Sequence, residues 1–240
     1  MNVVLDIGNS LLKAGLFKNN KLVKKYNFEV DYYNNIKNLL DSYDVSCSIV
    51  SNVSNPNKKL INLLDSRTKL IKFNTDLNVP FINKYKTKKT LGDDRVALIT
   101  SALIQYPDEN VLIIDLGSCI TYDLIKSNKE YVGGAISPGL KMRYKSLNTF
   151  TSNLPLLEPK DANYLIGKNT KESIHSGIIN GIIGELNYLI SQYKSDHKEI
   201  KIILTGGDSK FLFNKIKNSI FATSNFLLLG LNFLIELNKK

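Results

Sequence analysis

Two stretches of the chain repeat one order of apolar and polar positions. In each, a short apolar run rich in β-branched residues ends in Asp-x-Gly, a small polar residue follows, and a second apolar stretch begins soon after; these stretches are residues 3–17 and 113–125. Apolar runs on both sides of a Gly-centred turn predict a β-hairpin. The chain is therefore predicted to contain two similar halves, over residues 1–110 and 111–240, each beginning with a turn that carries a carboxylate.

Alternating strand and helix patterns follow each predicted hairpin. In the first half we predict a strand over residues 46–51 and helices over residues 57–65 and 95–105. In the second half Asn169 and Glu172 form a predicted helix cap. After this cap, apolar residues recur every four positions, at Ile174, Ile178, Ile182, Leu186 and Ile190. Strands that alternate with helices predict an α/β fold in which mixed sheets are flanked by helices.

The C-terminal part of the chain adds a strand, a turn and an apolar segment. A strand is predicted over residues 200–204, before the sharp turn at residues 205–208. Residues 220–237 are apolar enough to imitate a membrane span, but the polar residues within them favour a buried strand and a C-terminal helix. On the long predicted helix, Gly177 and Gly181 would allow close packing against a neighbouring element.

Composition and charge narrow the class of protein. The chain has 240 residues, of which 43% are hydrophobic and 22% charged, as a soluble globular protein requires. Its net charge of +10 could attract an anionic partner, but the lysines are scattered, so we predict neither nucleic-acid nor membrane binding. Its two cysteines have no paired spacing and predict neither a disulfide nor a zinc site. An early carboxylate at Asp6 disfavours a signal peptide, and a cytoplasmic location is expected.

The first Asp-x-Gly turn has the parts of a phosphate-binding loop. Gly8 and the small polar residues Asn9 and Ser10 can turn backbone N–H groups towards phosphate oxygens, Lys13 adds positive charge, and the carboxylate of Asp6 can hold Mg²⁺. A tight turn with a capping aspartate is the better interpretation of a single copy. Two matched copies favour the functional interpretation.

The second turn carries hydroxyl groups in place of a lysine. Ser118 and Thr121 could donate hydrogen bonds to phosphate oxygens. We expect Asp115 to face Asp6 across a cleft, where two carboxylates near a triphosphate are unfavourable unless cations lie between them. The sequence therefore implies bound cations.

A third candidate lies between the two turns, at residues 92–95, after Tyr85. Asp93 and Asp94 are followed by Arg95 at the start of a predicted helix. Acidic residues are favoured at a helix N-terminus for their own sake. The same residues could instead provide a carboxylate base beside a cation that binds an anionic substrate. From spacing alone both interpretations stay open.

Taken in chain order, these motifs resemble those of type III pantothenate kinases, and the resemblance spans residues 6–231. Each motif is modest, but their order and spacing are specific. The motifs are Asp6-x-Gly-Asn-Ser-x-x-Lys13, Gly92-x-Asp94-Arg95 with Tyr85 before it, Asp115-x-Gly-Ser118, Gly133-Gly134-Ala135-Ile136-Ser137-Pro138-Gly139-Leu140, Asn169-Thr170, Thr205-Gly206-Gly207 and Leu229-Gly230-Leu231.

The resemblance implies the duplicated ribonuclease H-like (actin-like) fold and the ATP-dependent phosphorylation of pantothenate to 4'-phosphopantothenate, the first step of coenzyme A biosynthesis. It implies a general base at Asp94 and a monovalent cation, K⁺ or ammonium, at Asp115. It also implies a homodimer, to which the helix with Gly177 and Gly181 could contribute. The implied ATP-binding residues are Asp6, Ile7, Gly8, Asn9, Ser10, Leu11, Leu12, Lys13 and Ser118, and the implied pantothenate contacts are Tyr85, Gly92, Asp93, Asp94, Arg95 and Thr170.

The chain departs from the family pattern at three positions. Ser10 and Ser118 stand where the family usually has Thr, which keeps the hydroxyl, and Cys119 stands where it usually has Ala. Cys119 is interpreted as a small packing residue, and His175 and His197 as residues of a helix surface or boundary. Two alternatives stay open: a nucleotide-binding regulator with reduced catalysis, and an actin-like kinase for another small alcohol.

Overall fold

The computed structural model describes residues 1–8, 11–52, 57–216, 220–221 and 225–239, and for Asn52, Ile220 and Phe221 it describes the backbone. The elements of the first 108 residues are β1 (Asn2–Ile7), β2 (Leu12–Lys18), β3 (Lys21–Phe28), α1 (Tyr32–Ser42), β4 (Cys47–Asn52), α2 (Lys58–Arg67), β5 (Lys69–Ile71), β6 (Ile82–Asn83), a 3₁₀ turn (Lys88–Thr90) and α3 (Asp93–Gln105). Those that follow are β7 (Val111–Leu116), β8 (Cys119–Ile125), β9 (Glu130–Pro138), α4 (Leu140–Thr149), α5 (Thr170–Asp196), β10 (Lys201–Thr205), α6 (Ser209–Leu212), a 3₁₀ turn (Phe213–Lys215), β11 (Ile220–Phe221) and α7 (Phe226–Asn238).

The chain divides into two compact units. Unit 1 contains residues 1–108, 128–132 and 225–240, and unit 2 contains residues 109–127 and 133–224. The predicted halves, residues 1–110 and 111–240, stay a prediction. The compact units differ from them, because residues 128–132 and the C-terminal helix α7 belong to unit 1. Helix α7 belongs there because its apolar residues pack against β1, β4 and α3.

The second sheet repeats the five-strand order of the first and has one additional strand, β6, next to β9. The first sheet runs β3-β2-β1-β4-β5, and the same order is repeated by β9-β8-β7-β10-β11. The first two strands of each form an antiparallel hairpin, while β1–β4, β4–β5, β7–β10 and β10–β11 are parallel pairs. The two predicted hairpins and the duplicated α/β arrangement are thus confirmed. Strand β6, which the sequence pattern missed, pairs in parallel with the first residues of β9.

The side chains of β1 alternate between two apolar layers of unit 1, since successive residues of a strand point to opposite faces. Val3 and Leu5 pack with the buried faces of α1 and α2. Val4 packs on the other face, with Ile49 of β4 and the apolar residues of α3 and α7. Because Asp6 follows Val4 by two positions, its side chain lies on the α3/α7 face.

Helix α7 approaches α3 closely because of one glycine. A Cβ atom at Gly230 would lie 1.9 Å from the carbonyl oxygen of Ala97, a distance that no side chain allows. The other end of the contact is polar: Asn2 donates hydrogen bonds to Asn232 at 2.9 Å and to Glu236 at 2.8 Å. These contacts fix α7, and through it α3, against the first sheet.

Unit 2 builds its core between its sheet and helices α4 and α5. The five apolar residues of α5 predicted to form a stripe are all buried, and they pack with Leu112, Ile114 and Leu116 of β7. Fully burying one such side chain contributes roughly 1.5–3 kcal/mol. The helix begins as predicted, since the side chain of Asn169 accepts a hydrogen bond from the Glu172 N–H group.

Two expectations about α5 were wrong. Apart from the backbone of α5 itself, no atom of the described residues lies within 4 Å of a Cβ atom added at Gly177 or Gly181, so neither glycine provides close packing against another described segment. A role of this helix in a homodimer stays a prediction. His175 is buried within α5, and its Nδ1 lies 2.7 Å from the hydroxyl of Tyr144, because the first turns of α5 are covered by α4. Burial and the nearby charge of Lys160 lower the pKa of His175. His197 caps the C-terminal end of α5, as expected of a boundary residue.

The remaining predicted elements agree with the structure to within a few residues. The predicted strand at 46–51 is β4, the helices at 57–65 and 95–105 are α2 and α3, and the apolar segment 220–237 forms β11 and α7. Of the helices that the structure describes, none combines the length and the apolar character needed to cross a bilayer.

Candidate active site

Asp6 lies near the carboxyl end of β1, between two strands that position it. Its Cα partner in β2 is Lys13 and its partner in β4 is Ser51. The carboxylate is largely buried, and its Oδ2 lies 3.4 Å from Nζ of Lys13. The turn that joins the two strands is closed by a 3.0 Å hydrogen bond from the Gly8 N–H group to the carbonyl oxygen of Leu11. The hairpin therefore holds the Asp6 carboxylate and the Lys13 ammonium side by side on the same face of the sheet.

The effect of Lys13 on the pKa of Asp6 does not offset the effect of burial. Burial raises the pKa of Asp6 above its ordinary value, the Lys13 ammonium lowers it, and the nearby carboxylate of Asp94 raises it again. Because burial and a like charge both disfavour the ionised form, a further cation at this point would be stabilised. The charge of Asp94 thus acts on Asp6 within unit 1.

The charge of Asp94 acts on Asp6 because Asp94 lies at the start of α3, the helix that packs on the same face of the sheet as Asp6. Asp93 and Asp94 form the first turn of the helix, and the Asp94 carboxylate accepts a hydrogen bond of 2.8 Å from the Arg95 N–H group. Gly92 precedes the helix, and a Cβ atom there would lie 2.5 Å from Oδ1 of Asp94. The first interpretation left open by the sequence is confirmed, since both acids occupy a helix N-terminus. The second, a carboxylate base beside a cation that binds an anionic substrate, stays a prediction.

Arg95 is buried beside Asp94 among aromatic rings. Its Nη2 donates a 2.9 Å hydrogen bond to the hydroxyl of Tyr131, and its guanidinium carbon lies 5.5 Å from the ring centre of Tyr85. The ring centres of Tyr85 and Tyr131 are 6.1 Å apart. The Arg95 guanidinium lies over the face of the Tyr85 ring, and this cation–π contact stabilises its position. Unit 1 therefore brings together Asp6, Lys13, Tyr85, Asp94 and Arg95.

Tyr131 is a residue of this cluster that sequence reasoning missed. It lies at the start of β9, where its Cα partner is Asn83 of β6. The side chain of Asn83 accepts a 2.9 Å hydrogen bond from the Tyr85 N–H group. No motif or periodicity marks Tyr131, because the two-residue strand β6 that places it has no sequence signal.

Two glycines, Gly139 and Gly206, lie close to the second hairpin at the turn that carries Asp115. Gly206, with φ of 95°, leaves room for Oδ1 of Asp115, since a Cβ atom there would lie 2.5 Å from that oxygen. A Cβ atom at Gly139 would lie 2.4 Å from the carbonyl oxygen of Ser118. Gly139, after β9, and Gly206, in the predicted turn after β10, therefore both lie against the Asp115–Ser118 segment, and all these residues lie within unit 2.

Glu185 joins four elements of unit 2 and was also missed from the sequence. Its carboxylate accepts hydrogen bonds from Tyr122 of β8 at 2.8 Å, from Ser137 of β9 and from Arg143 of α4. Burial alone would raise the pKa of Glu185, but these three donors outweigh it and lower the pKa. Burial and the Glu185 carboxylate raise the pKa of the Tyr122 hydroxyl. This network fixes the Ser137-Pro138-Gly139 turn.

The other predicted site residues occupy varied positions. Asn9 and Ser10 lie outside the described residues. Ile7 and Leu12 are buried core residues beside the first turn, whereas Ser118 is exposed at the second. Thr170 is exposed at the first position of α5, and Cys119 is half-buried at the start of β8.

Comparison with known proteins identifies the relatives of the chain. A family model described as type III pantothenate kinase matches residues 2–192. The type III pantothenate kinase of Christiangramia forsetii is 50% identical, and the alignment covers 100% of this chain and 99% of that protein.

Two solved structures share the fold at low identity. A proposed Baf-family transcriptional activator from Campylobacter jejuni has a TM-score of 0.62 at 23% identity, covering 99% of this chain and 98% of that one. The inorganic polyphosphate/ATP-glucomannokinase of Arthrobacter sp. strain KM has a TM-score of 0.53 at 14% identity, covering 98% of each chain. These likenesses concern the fold alone, and they confirm the predicted duplicated ribonuclease H-like (actin-like) architecture.

Proposed function

Because the chain belongs to the type III pantothenate kinase family, we propose that it phosphorylates pantothenate with ATP and that Asp94 is the general base. The observation that supports the role of Asp94 is its placement: the N-terminus of α3 brings its carboxylate close enough to raise the pKa of Asp6. A base for phosphoryl transfer has to lie beside the phosphate-binding turn.

The proposed reaction is an in-line transfer. The primary hydroxyl of pantothenate attacks the γ-phosphorus of ATP, the bond from that phosphorus to the bridging oxygen breaks, and ADP leaves. The hydroxyl proton passes to the carboxylate of Asp94 as the new bond forms. Much of the catalysis then comes from positioning, and Gly92 contributes by leaving the space that the Asp94 carboxylate occupies.

The proposed nucleotide site is the first turn, residues 6–13, together with Ser118 of the second hairpin. Lys13 would bind phosphate oxygens. Asp6 suits Mg²⁺, because it is a buried carboxylate with a second acid nearby. Mg²⁺ in proteins is commonly held by one or two carboxylates together with substrate phosphates. A site of this kind does not need a cluster of three or more His, Cys, Asp or Glu side chains, and the described residues include none. When bound, Mg²⁺ would neutralise charge on the phosphates.

The proposed pantothenate contacts surround Asp94. Arg95 provides positive charge for an anionic substrate, and its hydrogen bond to Tyr131 with the Tyr85 ring beside it fixes the orientation of the guanidinium. Gly92, Asp93 and Thr170 complete the proposed set.

Asp115 is proposed to hold a monovalent cation, K⁺ or ammonium. The absence of a side chain at Gly206 allows Oδ1 of Asp115 to lie close to that residue, where a Cβ atom would be 2.5 Å from the oxygen. Asp115→Ala should therefore weaken the dependence of activity on K⁺. Equal activity of that variant and the unmodified enzyme across K⁺ and Na⁺ buffers would contradict the assignment.

Three further features stay proposals: a homodimer, a cytoplasmic location and the absence of nucleic-acid binding. A coupled ADP-release assay with pantothenate beside a panel of sugars tests the function. We expect ADP release with pantothenate and none above background with sugars. Release with a sugar alone would favour the kinase for another alcohol, and no release with any acceptor would favour the regulator.

A further inference from the structure

Ser51 is a buried hydroxyl beside Asp6 with an unmet hydrogen bond. It lies on β4 as the Cα partner of Asp6, its exposed fraction is 0%, and its Oγ has no hydrogen-bond partner among the residues that the structure describes. Buried hydroxyls are normally paired, since leaving one unpaired costs stability. An exception next to Asp6, the aspartate of the proposed nucleotide site, calls for an explanation.

The side chain of Ser51 lies on the same face of the sheet as Asp6. Register partners on neighbouring strands point to one face, and Ile49, two residues before Ser51, packs in the layer formed by α3 and α7. Ser48 of the same strand differs: its Oγ lies 2.6 Å from the hydroxyl of Thr68. Strand β4 therefore carries one satisfied and one unsatisfied buried serine, and the unsatisfied serine is next to Asp6.

A second unpaired buried hydroxyl lies beside the motif aspartate of unit 2, on its antiparallel partner strand and not on its parallel one. Thr121 is the Cα partner of Asp115 in the second hairpin, and its Oγ1 is also buried without a hydrogen-bond partner in the described part of the chain. Each motif aspartate thus has an unpaired buried hydroxyl as a direct neighbour across a strand pair. The two buried side-chain atoms without a hydrogen-bond partner in the described part of the chain are therefore both next to a motif aspartate.

We propose that Ser51 is a positioning residue for Asp6. In the free protein, Lys13 is the cation nearest to the Asp6 carboxylate among the described contacts. Once the phosphates of a bound nucleotide attract Lys13, the Ser51 hydroxyl donates to Asp6, directly or through one water, and keeps the carboxylate aimed at the nucleotide and its cation. The inference rests on the proposed nucleotide site at residues 6–13.

The test compares two serines of one strand. Ser51→Ala removes a hydroxyl that has no partner in the free protein, so its melting temperature without nucleotide should not fall. Its dissociation constant for MgATP, measured by calorimetry, should rise about tenfold, as loss of a hydrogen bond to a charged group implies. The matched control Ser48→Ala should show the reverse: a lower melting temperature and unchanged MgATP binding.

Kinetics and a second variant separate positioning from folding. For Ser51→Ala we expect a higher KM for ATP, with kcat at saturating ATP and KM for pantothenate unchanged. Ser51→Cys, of similar size but with a weaker donor, should weaken MgATP binding in the same direction even if Ser51→Ala folds poorly. MgATP affinity equal to that of the unmodified protein in both variants would overturn the role of Ser51 alone. If the unmodified protein itself fails to bind MgATP, the proposed nucleotide site fails, and the inference fails with it.

Discussion

Gly92→Ala should slow the reaction far more than it destabilises the fold. A Cβ atom at this position lies 2.5 Å from Oδ1 of Asp94, whereas unstrained heavy-atom contacts are about 3.5 Å. The carboxylate must therefore move by about 1 Å, a displacement that can cost roughly 10²-fold in rate. The backbone at Gly92, with φ of −60° and ψ of 143°, suits alanine. The loss of stability, from a poorer helix cap, should be about 1 kcal/mol at most.

The assay combines steady-state ADP release with thermal unfolding. If Gly92 acts only by leaving space for Asp94, Gly92→Ala should slow Asp94→Asn little further, because residues that act as a unit are not additive. Gly92→Ala is expected to lower kcat by roughly one to two orders of magnitude. A kcat within twofold of the unmodified enzyme, or full additivity in the double variant, would refute the steric argument.

Three other substitutions test separate parts of the structure. Tyr131→Phe removes the hydroxyl that accepts a hydrogen bond from Arg95. We expect KM for pantothenate to rise about 3- to 10-fold with little change in melting temperature. An unchanged KM would contradict the role of the Arg95–Tyr131 contact in substrate binding. Gly230→Ala places a Cβ atom against the Ala97 carbonyl and should lower the free energy of unfolding in urea by about 1–3 kcal/mol. An unchanged free energy of unfolding would contradict the close fit of α7 against α3. The lowered pKa of Glu185 means that its stabilisation is present above its ordinary value of 4.5 and is lost as pH falls through the lowered value. Glu185→Gln should accordingly be less stable at neutral pH, and its urea midpoint should fall less on acidification; parallel pH curves would contradict this.

The sequence was sufficient for the elements with strong local patterns. The hairpins that carry Asp6 and Asp115 each have two apolar runs around a glycine turn, and α5 has a four-residue apolar repeat above a capping Asn169. These signals are local, so the elements can be predicted without knowledge of the tertiary contacts. The order of the motifs then identified the family, because several modest motifs in a fixed order are specific together.

What the sequence could not provide depends on contacts between distant segments. Tyr131 reaches Arg95 only because the short strand β6 pairs with the start of β9. Glu185 is a polar residue on a mostly apolar helix, and its three donors come from β8, β9 and α4. His175 was placed at a surface because the contact with Tyr144 has no local signature. Such residues are found from register and packing, not from periodicity.

The most direct test of the account is the single-turnover rate of phosphoryl transfer by Asp94→Asn, measured beside Asp93→Asn with saturating MgATP and pantothenate. If Asp94 takes the hydroxyl proton, Asp94→Asn should fold normally and transfer roughly 10²–10⁴ times more slowly, while Asp93→Asn should lose far less. A transfer rate for Asp94→Asn close to that of the unmodified enzyme would contradict the assignment of the base.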